Sequence, residues 1–490
     1  MFKKYLSLCL AALLVFALAL PVLSLVDAQP KYATPAGYND HDYQKLVAFL
    51  ETEVTKTLGG QPLTKTNGYW LFDLNYDPED PSTWGTNKFT WTEVGGEYRL
   101  SGIDLSEPGY YQEVGGELDV SGCTALMQLN CEDNYLTGLN VSGCTALEFV
   151  RAGSNRITWV DFSNCPALTA LNVSNNELTS LDLSNCPSLD TLYCGNNQIT
   201  ELDVSGCEYL CSLNCSCNQL TELDLSSNAQ LAFLYCGVND IEDLYPRFNP
   251  CLITLSCSGN PRLSQLYLSA NTALVELSCS SCDIHGLDLS GLSELEQVFC
   301  SDNPISSINL DGCSSLYQLY GTDIRLHSLN FSDCPYLDIP DVHTEGKGCF
   351  GIEASPFYEC KDPDGDGWWY DLYAYPDEGE TFIGWYGLDG ELLSRDEHFG
   401  VEFSWGEECP WAAYESFTAL FTDGGYVPGD MDYNGEVDIA DALYVLRAAM
   451  GLLSVDPHQL LACDIDGDGE LTVADALQVM RAAMGLITLG

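Results

Sequence analysis

A period of twenty-one residues runs through the middle of the chain and constrains its fold more than any other feature. Segments starting at Leu118, Leu139, Val160, Leu181, Leu202, Leu223, Leu244, Leu266, Leu287, Ile308 and Leu329 superimpose, and the one step of twenty-two carries an inserted residue at Pro261-Arg262. A unit this short cannot bury its own apolar face. Successive units must stack as coils and share one elongated core, so the middle of the chain is a solenoid rather than a closed globule.

One unit, Leu181 to Thr200 (LDLSNCPSLDTLYCGNNQIT), shows the inner logic. Leu192 and Cys194 alternate with Tyr193, the period of a strand with one buried face. Asparagine recurs at Asn134, Asn155, Asn176, Asn197, Asn218, Asn239, Asn260 and Asn303. A buried amide both donates and accepts, so it can satisfy the backbone of a tight turn that has no ladder partner. The pattern Leu189-x-x-Leu192-x-Cys194-x-x-Asn197-x-Ile199 resembles the leucine-rich-repeat family in its short, internalin-like bacterial form, over roughly Leu100 to Leu337. The resemblance implies a parallel-β solenoid. A long sheet suits binding, and its outward side chains include Phe149, Tyr193, Phe233, Tyr235, Phe299 and Tyr320 beside Asn130, Asn172 and Asn214. Exposed aromatics among small polar groups suit a protein or glycan ligand. The plainer alternative is that these rings only cover the strands.

Twenty-three cysteines would suggest a disulfide framework in a secreted protein, but most of them follow the repeat. Cys131, Cys194, Cys215, Cys236, Cys257, Cys279 and Cys300 occupy the inward position that Val173 takes in a sister coil. Cys123, Cys144, Cys165, Cys186, Cys207, Cys313 and Cys334 form a second ladder, replaced in other coils by Asn228, Asn249 and Asn271. A small, nearly apolar thiol fits a crowded core position. Cys279-Ser-Ser-Cys282 has the spacing of a redox or zinc pair, yet both residues fall on inward repeat positions and are expected to be structural.

Lys3 and Lys4 precede an apolar run from Tyr5 to about Val22, and Val26-Asp27-Ala28 offers small residues for cleavage. Residues 1–28 are therefore expected to be a secretory signal peptide, placing the mature chain, from Gln29, outside the cell. No membrane insertion is expected after cleavage. Eighteen basic against seventy-two acidic residues give a net charge of −54, which excludes nucleic acid and anionic lipid surfaces as partners and suits divalent cations. Residues 29–99 are expected to cap the first coil of the 100–340 solenoid. They include a helix over Tyr43 to Thr57, started by Asn39-Asp40, and turn-rich stretches around Trp70, Trp84 and Trp91.

After the repeats, residues 345–423 alternate in strand fashion around GETFIGWY (Gly379 to Tyr386) and Phe417 to Phe421. They resemble the small bacterial-repeat modules related to the internalin B-repeat, and are expected to be a mostly-β spacer. Cys349 and Cys360 could bridge locally, and Asp362-Pro-Asp364-Gly-Asp366-Gly367 imitates a calcium loop that Tyr373 cannot close.

The sharpest chemistry lies in residues 426–490. Asp430, Asp432, Asn434, Glu436, Asp438 and Asp441 recur thirty-four residues on as Asp464, Asp466, Asp468, Glu470, Thr472 and Asp475. Oxygens at loop positions 1, 3 and 5, a backbone carbonyl at 7 and a carboxylate at 12 converge on a hard cation, around a glycine turn at Gly435 or Gly469. Two calcium ions are expected. The helices that follow, DALYVLRAAMGL and DALQVMRAAMGL, match at ten of twelve positions. This closely resembles type I dockerins, two calcium half-motifs that keep only the exiting helix. The resemblance implies calcium-dependent attachment to a cohesin domain of a scaffold protein, in a cellulosome-like complex of a polysaccharide-degrading anaerobe. Its recognition positions fall here on Ile439, Ala440 and Arg447, and on Val473, Ala474 and Arg481. The best-known dockerins carry hydroxyl residues at loop positions 10 and 11, so the departure leaves the cohesin type open. No catalytic residue is expected: the solenoid acids follow the repeat, the six histidines show no metal-pair spacing, and there is no nucleophile motif or phosphate loop. The alternative is a carbohydrate-active accessory subunit of glycoside hydrolase type, with its catalytic site in the flanking segments.

Overall fold

The computed structural model describes residues 32–489 apart from 59–60, 73–75, 85–87, 107–113, 338–340, 346, 358–366, 379, 388–391, 405–415, 422–426, 432–435, 454, 456 and 467–469. The expected signal peptide, Cys360 and the acidic turn Asp362 to Asp366 lie outside the described residues.

The repeats fold as stacked coils. Each gives a short strand to one sheet, such as Thr191–Tyr193 or Ser212–Asn214, and eleven such strands run parallel in chain order from Glu97–Asp104 to Gln318–Leu326. Register follows the repeat: Leu171 pairs with Leu192, Leu192 with Leu213 and Leu213 with Leu234, all buried. Because side chains alternate across a strand, every flanking residue then points outward.

Behind the strands, each coil reverses through one residue in the left-handed region, including Asp133, Ser154, Asn175, Asn196, Cys217, Val238, Ser281 and Asp302 at φ between 54° and 57°. Val238 is β-branched and disfavoured there, so the turn must be held from outside. In all of these but Ser281 the next residue is the recurring asparagine. Asn239 Nδ2 donates to Cys236 O at 3.0 Å in its own coil and to Cys215 O at 3.1 Å in the preceding one, and its Oδ1 accepts from Leu220 N at 3.0 Å. Asn239→Ala leaves the Leu220 N–H without its partner and takes one donor from Cys236 O and Cys215 O, which Asn260 and Asn218 still reach, at a cost of about 2 kcal/mol. The urea midpoint should fall accordingly, whereas Asn185→Ala, at an exposed loop position, should hardly move it.

The ladder breaks once, and the inserted residue explains it. In the coil lengthened at Pro261-Arg262 the Leu263 amide bonds to Asn260 O at 3.0 Å, leaving no donor for a following amide oxygen. Cys282 stands there instead, and its thiol faces Ser280 O at 3.5 Å and Cys257 O at 3.6 Å. Both cysteine ladders are buried, and no disulfide joins any of the described cysteines to another. Where asparagine replaces the second ladder, Asn228, Asn249 and Asn271 tie carbonyls of earlier coils together, but their own Oδ1 atoms are buried without a partner.

The ends of the solenoid are closed by different means. At the N-terminal end, helix α1 (Asp40–Leu50), capped by Asn39, lays Tyr43, Leu46, Phe49 and Leu50 on the core. Arg99 pairs with the buried Asp42 at 2.7 Å and fixes the helix to Glu97–Asp104, the first of the parallel strands. The expected continuation to Thr57 is corrected: Glu53–Leu58 is a strand, hairpinned with Gln61–Thr66. Its β-branched Val54, Thr55 and Thr57 prefer a pleated backbone. A short helix α2 (Asn67–Phe72) and Trp84, stacked on Tyr43 at 5.2 Å, complete the cap.

At the other end, residues 345–423 are joined to the solenoid sheet. Gly348–Phe357 pairs antiparallel with Gln318–Leu326, followed by Gly367–Pro376 and His398–Ser404, and with Phe89–Val94 antiparallel beside Glu97–Asp104 at the opposite edge the sheet has fifteen strands. A second sheet, which includes Phe382–Gly387, Leu392–Ser394 and Ser416–Phe421, packs over it with Trp385, Phe417 and Phe421 buried in the same core as the last coil. This β module covers the apolar end that the last coil would otherwise expose.

The C-terminal helices α3 (Ile439–Ala449), α4 (Pro457–Cys463) and α5 (Val473–Ala483) have a small core of their own around Met431, Val445, Cys463 and Val479.

Candidate metal loops and binding face

The two acidic loops lead straight into α3 and α5, and the same residues serve both elements. Asp438 and Thr472, at loop position 9, are the N-caps of these helices, and Asp441 and Asp475, at position 12, complete capping boxes. Asp441 is fully buried, one carboxylate oxygen accepting Met431 N at 2.8 Å and the other Asp438 N at 2.7 Å. Asp475 repeats the arrangement, with Ile465 N at 2.9 Å on one oxygen and Thr472 N at 2.9 Å on the other. Burial pushes the Asp475 carboxyl up, but these hydrogen bonds outweigh it and hold it below the usual carboxylate range. A carboxylate oxygen has room for a second interaction, so both remain able to take a cation. Asp464, Asp466 and Asp475 bring carboxylate oxygens within 4.8 Å of one another. Asp430 and Asp464, at position 1, are buried, while Glu436 and Glu470 are exposed. Asp432, Asn434 and Asp468 lie outside the described residues.

The exit helices present matching outer faces. Ile439 and Val473 are 61 % and 62 % exposed, and Ala440, Arg447, Ala474 and Arg481 are exposed with them. Leu443, Met450 and Leu452 extend the first face, and Leu477, Met484 and Leu486 the second. On the solenoid, Phe149 and Tyr193 are exposed on the outer side of the sheet, whereas Phe233, Tyr235, Phe299 and Tyr320 are half-buried. The last two rings stack face to face at 5.1 Å, across neighbouring strands.

Residues 428–482 match the family described as the dockerin type I domain, and residues 166–206 match that of leucine-rich repeats. The chain carries leucine-rich repeats and a type I dockerin. No curated protein matches it. Among solved structures, the functional domain of InlJ from Listeria monocytogenes is similar at 22% identity, covering 62% of this chain and 78% of that one at a TM-score of 0.38. YopM from Yersinia enterocolitica is 27% identical over 47% of this chain and 48% of its own, at a TM-score of 0.38. Internalin InlF from Listeria monocytogenes is 22% identical over 45% and 64%, at 0.32. Type I dockerins are calcium-binding modules, and the dockerin residues here fit that ion. The donors are all hard oxygens, and the buried Asp464 and Asp475 crowd negative charge that a divalent cation would neutralise.

A second group of potential ligands, His41, Asp42 and Cys123, converges in the N-terminal cap within 4.8 Å. Its charge is already neutralised, because Asp42 accepts from Arg99 and from Leu100 N, and His41 Nε2 lies 2.8 Å from Ser121 O. The solenoid acids behave as repeat groups. Asp182, Asp203 and Asp224 each accept the amide two residues on, from Ser184, Ser205 and Ser226 at 2.9 Å, and these bonds hold their carboxyls below the usual range. Such groups are poor proton donors near neutral pH. Sequence reasoning overlooked two features of these surfaces. One is the polar contact from Asn172 Nδ2 to Glu132 at 2.8 Å beside the exposed aromatics, and the other is Arg395, whose guanidinium reaches Asp464 at 2.9 Å. The first spans two coils, over Gly153 of the coil between, and follows from aligning outward positions along the repeat. The second had no signal, because sixty-nine residues separate the partners.

Proposed function

We propose that this protein is a secreted, non-catalytic binding protein. Its repeat face holds a protein or glycan ligand, and its dockerin attaches it to a cohesin domain of a scaffold protein. The observation that carries the reading is the pairing of two near-identical loop and helix units, each with a buried carboxylate at the helix start and an exposed apolar and arginine face beyond it.

Asp430, Asp432, Asn434, Glu436, Asp438 and Asp441 would hold one calcium ion, and Asp464, Asp466, Asp468, Glu470, Thr472 and Asp475 another. Calcium supplies the charge that lets these oxygens share one point. The chain does the rest: Asp441 and Asp475 tie each loop to its helix, and Ile439, Ala440 and Arg447, with Val473, Ala474 and Arg481, face the partner. For the repeat surface, eleven parallel strands give a sheet roughly 50 Å long, and Phe149, Tyr193, Phe233, Tyr235, Phe299 and Tyr320 mark the ligand side. Secretion rests on the N-terminal apolar segment, with cleavage after Ala28. Among the described residues no helix is long and apolar enough to cross a membrane.

Calorimetry of the full chain against a panel of cohesins, with calcium and with chelator, tests the attachment. Binding to at least one cohesin only in calcium is the expected result. Equal affinity in both conditions, or no binding to any class, removes the docking claim. A glycan and protein array probed with the solenoid identifies the ligand class on the other face.

A further inference from the structure

The contact between Arg395 and Asp464 joins two parts of the chain that the sequence keeps apart. Arg395 follows the strand Leu392–Ser394 at the edge of the β module. Its Nη2 lies 2.9 Å from Oδ2 of Asp464, the first ligand position of the second dockerin loop. The Asp464 side chain is fully buried, and Arg395 is 38 % exposed. Tyr386, almost fully buried in the β module, lies close enough to feel both charges: burial pushes its phenol up, Arg395 opposes this and Asp464 adds to it. Asp466 and Asp475 face the same point from within the dockerin. The guanidinium therefore sits against the charge cluster that calcium would occupy.

We propose that Arg395 and calcium compete for Asp464, so that the β module tunes the ion affinity of the second loop and calcium in turn loosens the module's hold on the dockerin. The inference rests on the calcium reading of that loop. Its physical basis is the shared carboxylate. A guanidinium and a divalent cation drawn to one carboxylate repel each other whether or not each takes a separate oxygen, and low exposure strengthens that repulsion. Coupling between two binding events is reciprocal, so whatever affinity Arg395 removes from calcium, calcium removes from the Arg395 contact. The first loop has the same residues at positions 1, 3, 7 and 12, differs at position 5 (Asn434 for Asp468) and at position 9 (Asp438 for Thr472), and serves as the internal reference.

The test uses the full chain with the first loop disabled by Asp430→Asn and Asp441→Asn, so that calorimetry reads the second loop alone. In that background Arg395→Gln should raise calcium affinity about fivefold, in the lower range of site-to-site couplings, and Arg395→Lys should recover most of the original value. With Asp464→Asn and Asp475→Asn in place of the first pair, Arg395→Gln should leave calcium binding at the first loop unchanged. Hydrogen exchange gives the reciprocal readout: amides of Leu392–Ser394 should exchange faster with calcium in the parent chain and show no such response in Arg395→Gln. An unchanged or weaker calcium affinity in Arg395→Gln overturns the competition. Failure of any variant, including the parent, to bind calcium removes the calcium reading itself, a result distinct from a loop that binds the ion but ignores Arg395.

Discussion

Titrating calcium into the isolated segment Val427 to Gly490 raises its helical content by most of the signal of α3 and α5, and chelator takes that signal away. The segment is too small to bury a large core, and its own cluster is limited to a few residues around Met431, Val445, Cys463 and Val479. Against that small gain stand buried like charges at Asp430, Asp441, Asp464 and Asp475. Without a cation, their mutual repulsion opens the loops and strips the N-caps from the helices, because Asp441 and Asp475 serve both loop and cap. Metal-binding free energy then becomes folding free energy. Replacing Asp464 and Asp475 together by asparagine should abolish one of the two calcium events and roughly half of the calcium-induced helix, and replacing Asp430 and Asp441 should do the same for the other half. A segment whose circular dichroism is the same in calcium and in chelator would show that the small core suffices and that the loops are acidic turns. Since the isolated segment lacks Arg395, its second loop should also bind calcium more tightly than in the whole chain.

Much of this protein was legible in its sequence because its signals are local and repeated. A coil with the spacing Leu189, Leu192, Cys194, Asn197 and Ile199 states its own strand, its turn and its core face, and eleven copies remove the ambiguity of one. The dockerin loops were legible for the same reason, as every candidate ligand of one loop lies within twelve residues of chain. What failed to show was non-local or a contest between propensities. The helix pattern of Leu46, Phe49, Leu50 and Val54 continues past Leu50, but the β-branched stretch from Val54 to Thr57 found a hairpin partner in Gln61–Thr66 and ended the helix. Strands around Tyr386 and Phe417 were readable, yet the module's attachment to Gln318–Leu326, made through Gly348–Phe357, depends on the open edge of the last coil, which no local pattern announces. The aromatics read as outward are exposed or half-buried on the strands. Their unequal exposure depends on neighbours in adjacent coils, as with Phe299 under Tyr320.

Raising the pH from 8 to 11 should unfold the solenoid cooperatively, through its thiol ladders. Burial pushes the thiols of Cys144, Cys186, Cys194, Cys300 and Cys334 from 9.0 up to about 12. The folded-state values lie above the unfolded ones, so the stability these thiols contribute is complete below pH 9 and is lost as pH rises toward 12. Each loses about 1.4 kcal/mol per pH unit across that window, and five together lose about 7 kcal/mol per unit. A typical domain holds only about 5–15 kcal/mol in total, so the fold cannot survive far into that range. Tyrosines ionise over the same interval, and variants separate the two effects. Val173 fills the first ladder position in one coil and is fully buried there, which makes Cys194→Val and Cys300→Val natural replacements. The double variant should keep its neutral-pH structure and move the alkaline unfolding midpoint upward by a few tenths of a pH unit, as followed by circular dichroism. At pH 8 the same burial should protect the ladders from iodoacetamide, while the exposed Cys251 reacts readily. A midpoint that ignores both substitutions, or ladder thiols alkylated as fast as Cys251 in the folded protein, would mean that the coils open far more easily than their packing implies.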